Sequence, residues 1–567
     1  MKNEPTYCLA ESTLVEPLVN CWSAWSFLIA PMPASLHLLR YHIPLLQSYL
    51  DNPRSHFVAS RDLTLAGGAF VNVPEERASE IAALLDSTRN NLSHNLEFAQ
   101  SAIDFQNWLV ANAQGCGMGP FYRRIPRPLR GYIELVYDYL NRPSIRFIEN
   151  LLYRSPYYNS SLQSLRLSRL DRDGSRPFFL NTPRLMEEDQ IDWQIPFDAS
   201  QVDQLFMLDT RPQPFDAIWQ ILGLDDQSRG RLLSMLTEKP RILPEKWNEN
   251  SVRVRYFGHA CLLIESKGIS ILTDPLVAAR PAEGGLERFS YHDLPGEIDY
   301  ALITHNHVDH NSLETILRLR HRIVCLVVPR SSGMLYGDIS LKAQAHRIGF
   351  RNVVELDALE NLHLPDGEIT AVPFLGEHSD LAHGKTGYVI RLGKRHLLIG
   401  ADSDCLDERL YENVRRCLGR VDTVFLGTES VGAPLSWVYG PLLPQKPSRE
   451  EEESRRQHGC DARRAIKMLE ILGANRLYNY GMGMEPWLEH ILGLGLDENS
   501  PQLMESEKLL AQARARGFLE AKRFYGKAEV VLGDMDSAEE SIPLAVTPQN
   551  AGNRRIGAED EFVFDLS

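Results

Sequence analysis

The chain has 567 residues, 43% of them hydrophobic and 24% charged, a soluble globular composition too long for one ordinary core. Its formal net charge of −15 excludes nonspecific nucleic-acid binding, because a net-negative surface repels phosphate. The eight cysteines are scattered without a CxxC pair, and the first residues carry no basic leader, which fits a reducing cytoplasm and no membrane attachment.

In chain order, Pro17 to Leu39 lacks Asp, Glu, Lys and Arg. Its Asn20, Pro31 and Pro33 predict a buried strand and turn, not a membrane span. His56 to Val73 alternates like a strand and carries Gly67-Gly68, whereas Glu75 to Leu109 has apolar residues at helical spacing. Arg123-Arg124-Ile125-Pro126-Arg127-Pro128-Leu129-Arg130 is basic and broken by proline, read either as a solvated loop or as a docking surface for an acidic partner. Residues 1–245 therefore read as a mixed α/β N-terminal domain, ending near Pro240–Pro244, whose expected role is dimerisation or docking of a partner.

From Val252 the texture changes. Short β-rich runs recur between turns: Val252–Phe257, Cys261–Ile264, Ile269–Leu272, Ile323–Val328, Val353–Leu356, Ile369–Val372, Gly387–Leu392, His396–Ile399 and Thr423–Leu426. Helical segments such as Ser312–Leu319 and Asp461–Leu472 lie between them. Residues 246–532 thus predict two sheets flanked by helices. Leu443 to Gly459 reads as an exposed insertion, although its run Glu450–Glu453 equally suits the start of the next helix. The polar tail, 533–567, is expected to be flexible.

The chemistry concentrates in Thr304-His305-Asn306-His307-Val308-Asp309-His310, which follows the largely apolar run Ile298 to Ile303. A strand period of two puts His305 and His307 on one side, and a turn after Val308 lets Asp309 and His310 reach toward a second ion. Buried ionisable groups this dense are costly unless they are used, so the spacing favours two adjacent metals.

The stretch from Val252 to Gly495 resembles the metallo-β-lactamase superfamily, on the HxHxDH cluster, Gly258-His259-Ala260 and Ile271-Leu272-Thr273-Asp274-Pro275. The resemblance implies an α/β architecture: an αββα sandwich as the C-terminal domain, with a dinuclear site between its sheets. Asp274 matches the family's buried aspartate, which lies behind the ligands and orients them. Where the family usually has a histidine, this chain offers Glu377 or, behind it, His378. Asp402 matches the bridging aspartate, with Asp404 as the other candidate, and His490 matches the last histidine. The implied set is His305, His307 and Glu377 on one ion, Asp309, His310 and His490 on the other, and Asp402 between them.

A glutamate at one corner hardens the site and tilts it from zinc toward iron. Together with the large N-terminal domain and Trp22-Ser23-Ala24-Trp25, it makes the chain similar to the chloramphenicol-type diiron β-hydroxylases of nonribosomal peptide biosynthesis. That resemblance implies an O₂-dependent monooxygenase with two iron ions and Glu377 as a catalytic group, hydroxylating the β-carbon of an aminoacyl thioester on a peptide-synthetase carrier domain. An external electron donor follows from the lack of a flavin or nicotinamide fingerprint, and a homodimer is expected. Trp437 and Tyr439 either wall the amino-acid pocket or pack the core. The alternative is a hydrolase with two zinc ions, cleaving a lactone, thioester or phosphodiester with a metal-bound hydroxide.

Overall fold

The computed structural model describes residues 4–533, apart from 63, 64, 66, 139, 332–335, 377–383 and 494. The flexible-tail reading therefore concerns residues almost wholly outside the described ones.

Two seven-stranded sheets form the C-terminal half. The first runs, in spatial order, Val353–Leu356, Ile323–Pro329, Ile298–Leu302, Ile269–Thr273, Cys261–Ser266, Val252–Gly258 and Ala528–Leu532. The second runs Asn361–Leu364, Gly367–Val372, Gly387–Leu392, Arg395–Ile399, Thr423–Leu426, Arg476–Asn479 and Glu520–Arg523. Period-two alternation explains their stacking. Val252, Val254, Tyr256, Leu262, Ile264 and Ile271 of the first sheet share one apolar core with Ile369, Tyr388, Ile390, Leu397, Ile399 and Phe425 of the second. The intervening residues Leu263, Leu272, Ala301, Ile303 and Leu326 face the other way and belong to a second core. This is the metallo-β-lactamase sandwich.

That second core is continuous with the N-terminal half. Val15, Trp22, Trp25, Phe27, Leu205 and Phe206 pack into it alongside the first sheet's outer face and the helix Leu313–Leu319. Within the N-terminal half, Trp22–Ser23, Thr13–Val19, Gln163–Arg169 and Ile191–Gln194 form a four-stranded antiparallel sheet. A buried and a half-buried ion pair tie the halves together. Arg318 grips both oxygens of Asp209 at 2.9 and 2.7 Å, and Arg176 reaches Glu314 at 2.7 Å.

Two local readings are corrected and one is sharpened. The stretch expected as a strand from His56 begins instead in the helix Pro53–Ala59, because Asn52 caps Ser55 N–H and Pro53 fits the first turn. Pro17–Leu39 does hold a buried strand, but its second part is helical over Ser26–Ile29 and Pro31–His37, where Pro31 starts a helix that it was expected to break. The insertion is largely exposed, as expected, and its acidic run does open a helix. That helix is Arg449–Ser454, closed by a reciprocal Ser448–Glu451 capping box. Among the described residues no helix is long and apolar enough to cross a membrane.

Candidate metal centre

Parallel pairing brings the chemistry to one end of the sandwich. Ile269–Thr273 pairs parallel with Ile298–Leu302, and Arg395–Ile399 with Thr423–Leu426. Asp274, the His305–His310 loop and Asp402 each follow the carboxyl end of one of these strands, so the strand ends aim them at a common point.

Asp274 organises the loop. One oxygen accepts from Thr304 N–H at 2.7 Å. The other accepts from the Thr304 hydroxyl at 2.8 Å and lies 2.8 Å from His310 Nδ1. His310 Nδ1 is thereby committed to Asp274 and Nε2 turns toward Asp402 and His259. Around the turn, Asn311 N–H returns to the His307 carbonyl at 2.7 Å, and the Asn311 amide donates to Ser26 of the N-terminal half at 3.0 Å. Tyr388 OH, from the second sheet, holds the Ile303 carbonyl at 2.8 Å.

Two overlapping clusters result. His305, His310 and Asp402 present ligating atoms within 4.8 Å of one another, as do His259, Asp309 and His310. Asp402 Oδ2 stands 2.9 Å from His310 Nε2 and 3.4 Å from His305 Nε2. His307 Nδ1 is 3.2 Å from His305 Nε2, and its Nε2 meets Tyr439 OH at 3.2 Å. His259 Nε2 lies 2.9 Å from Asp309 Oδ2 and 3.3 Å from His310 Nε2.

All these rings and Asp402 are buried. Burial alone opposes the charge on Asp309, yet the His310 and His259 rings hold its carboxyl well below the usual carboxylate range. Burial also opposes a charge on His310, but Asp402, Asp274 and Asp309 together raise it far above an ordinary imidazole. Three carboxylates converging on buried imidazoles are a demand for positive charge. Nitrogen and oxygen donors in two adjacent triads fit a pair of first-row transition ions such as iron, zinc or manganese.

The structure thus brings His305, His307, Asp309, His310 and Asp402 together, with Asp274 behind His310. Asp404 turns away and pairs with Arg464 at 2.7 Å. Glu377 and His378 lie outside the described residues. Tyr439 is buried against His307, and Trp437 meets Phe178 edge-on with ring centroids 5.7 Å apart.

His490 is a correction. It joins neither cluster but lines a separate cavity with Arg176, Asp173 and Trp487, and feels the charges of Arg176, Glu16 and Arg184. Its helix, Glu489–Leu492, is anchored to the N-terminal half through Phe179 N–H, which donates to the His490 carbonyl at 2.9 Å. His259 was overlooked in its place. It sits in the two-residue turn between Val252–Gly258 and Cys261–Ser266, with φ +49°. A histidine where a tight hairpin favours glycine was the available signal.

Residues 8–240 match the family described as the N-terminal domain of diiron non-heme β-hydroxylases, and residues 253–430 match a β-lactamase superfamily domain. Over 519 residues the chain is 34% identical to the 4-amino-L-phenylalanyl-[CmlP-peptidyl-carrier-protein] 3-hydroxylase of Streptomyces venezuelae, covering 90% of this chain and 97% of that protein. The crystal structure of CmlA, a diiron β-hydroxylase from Streptomyces venezuelae, superposes with a TM-score of 0.86 at 33% identity, covering 94% of this chain and all of that one. A glutamate-to-aspartate variant of CmlA superposes with a TM-score of 0.85 at 33% identity, covering 93% of this chain and 100% of that one.

Proposed function

Because the chain belongs to the diiron non-heme β-hydroxylase family, we propose that it hydroxylates the β-carbon of an aminoacyl group carried as a thioester on a peptide-synthetase carrier domain. The observation that supports this most is the pair of triads sharing His310, inside a chain of which 90% aligns with a hydroxylase of that substrate class. The dizinc hydrolase reading is disfavoured, since the likeness to a hydroxylase spans both halves of the chain.

In this proposal His305 and His307 hold one ion and Asp309, His310 and His259 the other, with Asp402 between them. Glu377 is proposed as the remaining ligand of the first ion, on the sequence resemblance. Two iron ions supply O₂ activation and insertion of one oxygen into a C–H bond, with electrons from an external donor. The chain's own residues do the positioning. Asp274 fixes the His310 tautomer, and Tyr439 addresses the outer nitrogen of His307. Tyr439, against His307, and Trp437, edge-on to Phe178, are the aromatic side chains proposed to wall the aminoacyl pocket and exclude water from it.

The exposed Arg123, Arg124, Arg127 and Arg130 suit docking of an acidic carrier. They lie on two short 3₁₀ turns and the residue that follows, and no acid among the described residues pairs with them. Cytoplasmic residence and a homodimer complete the proposal.

The test is direct. Protein purified from cytosol should hold two irons per chain. Chemically reduced and given aminoacyl-carrier and O₂, it should return a product heavier by one oxygen. Zinc-only protein that hydrolyses the thioester would overturn the proposal. Replacing the four arginines with glutamate should raise the KM for aminoacyl-carrier and flatten its salt dependence, with iron content unchanged.

A further inference from the structure

His259 holds its place at a conformational cost. It is the first loop residue of the turn closed by the Gly258–Cys261 pair, at a φ of +49° that side chains rarely adopt. Two features hold it there. Gly481 N–H donates to its carbonyl at 2.8 Å. At Gly258, where φ is +119°, the backbone lies so close to Trp487 that a Cβ would stand 3.1 Å from its Nε1.

Around this turn three polar atoms are buried without partners: His259 Nδ1, Glu485 Oε2 and Trp487 Nε1. Their residues are 4%, 2% and 6% exposed, so bulk water does not satisfy them. Glu485 is fixed by its other oxygen, which accepts from Tyr256 OH at 2.5 Å, and it lies close enough to His259 for that ring to act on its carboxyl. The three atoms are chemically complementary. With His259 Nε2 turned toward Asp309 and His310, Nδ1 carries the hydrogen and is a donor. Trp487 Nε1 is a donor only, and Glu485 Oε2 is an acceptor.

We propose that Glu485 is a positioning residue for His259, acting through one buried water that accepts from His259 Nδ1 and Trp487 Nε1 and donates to Glu485. This rests on the reading of His259 as a ligand of the second ion. The water makes three bonds, the usual number for a buried site. It fixes the ring tautomer that leaves Nε2 free for metal, as Asp274 does for His310 directly.

The experiment measures ferrous iron binding by full-length protein under anaerobic chelator competition, with no carrier or O₂ present. Wild type that takes up no iron would defeat the proposed function before any variant is made. Glu485→Gln should weaken the second iron about 10- to 100-fold and leave the first unchanged, the range for groups behind a metal ligand. Trp487→Phe keeps the ring, removes one donor, and should weaken the same iron by less. His259→Ala should lose the second iron, and adding Glu485→Gln to it should cost nothing more. The melting temperature of each metal-free variant separates positioning from folding. If Glu485→Gln melts as wild type does and binds two irons equally well, the inference is overturned. It is also overturned if the Glu485 effect persists undiminished in the His259→Ala background. Should Glu485→Gln fail to fold, Trp487→Phe decides by the same criteria.

Discussion

Asp274→Asn is the sharpest perturbation of the metal loop. Three groups converge on this carboxylate, from Thr304 N at 2.7 Å, Thr304 Oγ1 at 2.8 Å and His310 Nδ1 at 2.8 Å. An asparagine oxygen can keep the Thr304 N–H, and the hydroxyl can reverse its role. The amide NH₂ then faces His310 Nδ1, where two donors meet. His310 must move its proton to Nε2, the nitrogen that faces Asp402 at 2.9 Å, and it is lost as a ligand in that tautomer. A lost hydrogen bond to a charged group is worth about 1.5–3 kcal/mol. The 10- to 100-fold affinity range for such outer partners converts to about 1.4–2.7 kcal/mol. The two routes agree, so Asp274→Asn should weaken the ion shared by His310 and Asp309 by one to two decades. Chelator competition with ferrous iron reads this directly, and Asp274→Ala should be at least as severe. Unchanged affinity for both ions in Asp274→Asn would falsify the claim that this aspartate sets the His310 tautomer.

Other consequences reach the site and the fold. Tyr439→Phe removes the hydroxyl at His307 Nε2 and should lower kcat by about tenfold with both irons retained, as turnover and metal analysis would show. His490→Ala should leave iron at two per chain, and loss of an ion would restore the ligand role that the structure denies it. Asp209→Ala strands the buried Arg318 and should cost about 3–5 kcal/mol in urea unfolding, whereas Asp209→Leu with Arg318→Met should recover much of that, because removing both charges leaves no uncompensated ion. Burial pushes the Glu149 carboxyl from an ordinary 4.5 up to about 7. The folded chain therefore holds this proton more tightly than the unfolded one. Its stabilisation is complete below about pH 4.5 and lost as pH rises through about 7. Relative to Glu149→Gln, wild-type stability should decline across that window, and parallel curves would contradict the assignment.

Much of the sandwich was legible because its strands alternate strictly. Val252, Val254 and Tyr256 face one core while Phe257 and Leu263 face the other, and glycine or charged turns separate the runs. The HxHxDH loop was legible for the opposite reason, since its four candidate ligands are neighbours in sequence. What escaped depended on distant partners or on capping. His259 stands 46 positions before His305, and no periodicity links a hairpin turn to a later loop. His490 had a family-like position, but its ring lies among Arg176, Asp173 and Trp487, partners that no local pattern announces. His56 sits in an alternating pattern that Asn52 and Pro53 override, because a satisfied helix start outweighs a weak strand preference.

The N-terminal half has no chemistry visible in its sequence, yet the metal loop leans on it. Ser26 accepts from Asn311 through its hydroxyl and from Gln344 through its carbonyl, at 3.0 and 2.9 Å. The helix that leaves the loop, Leu313–Leu319, carries Arg318 into Asp209 and the Thr13 carbonyl. Both ends of the ligand loop are thereby fixed: the entry by Asp274 and Tyr388 within the sandwich, the exit by side chains and backbone more than 100 residues upstream. A dinuclear centre tolerates little drift, since shifting one ligand by 1 Å loosens both ions through their shared groups. The outer face of the first sheet would otherwise be an exposed apolar surface, and the N-terminal core covers it. Covering that face and locking the loop exit are one structural act, and among the described residues the N-terminal half brings no side chain into either triad.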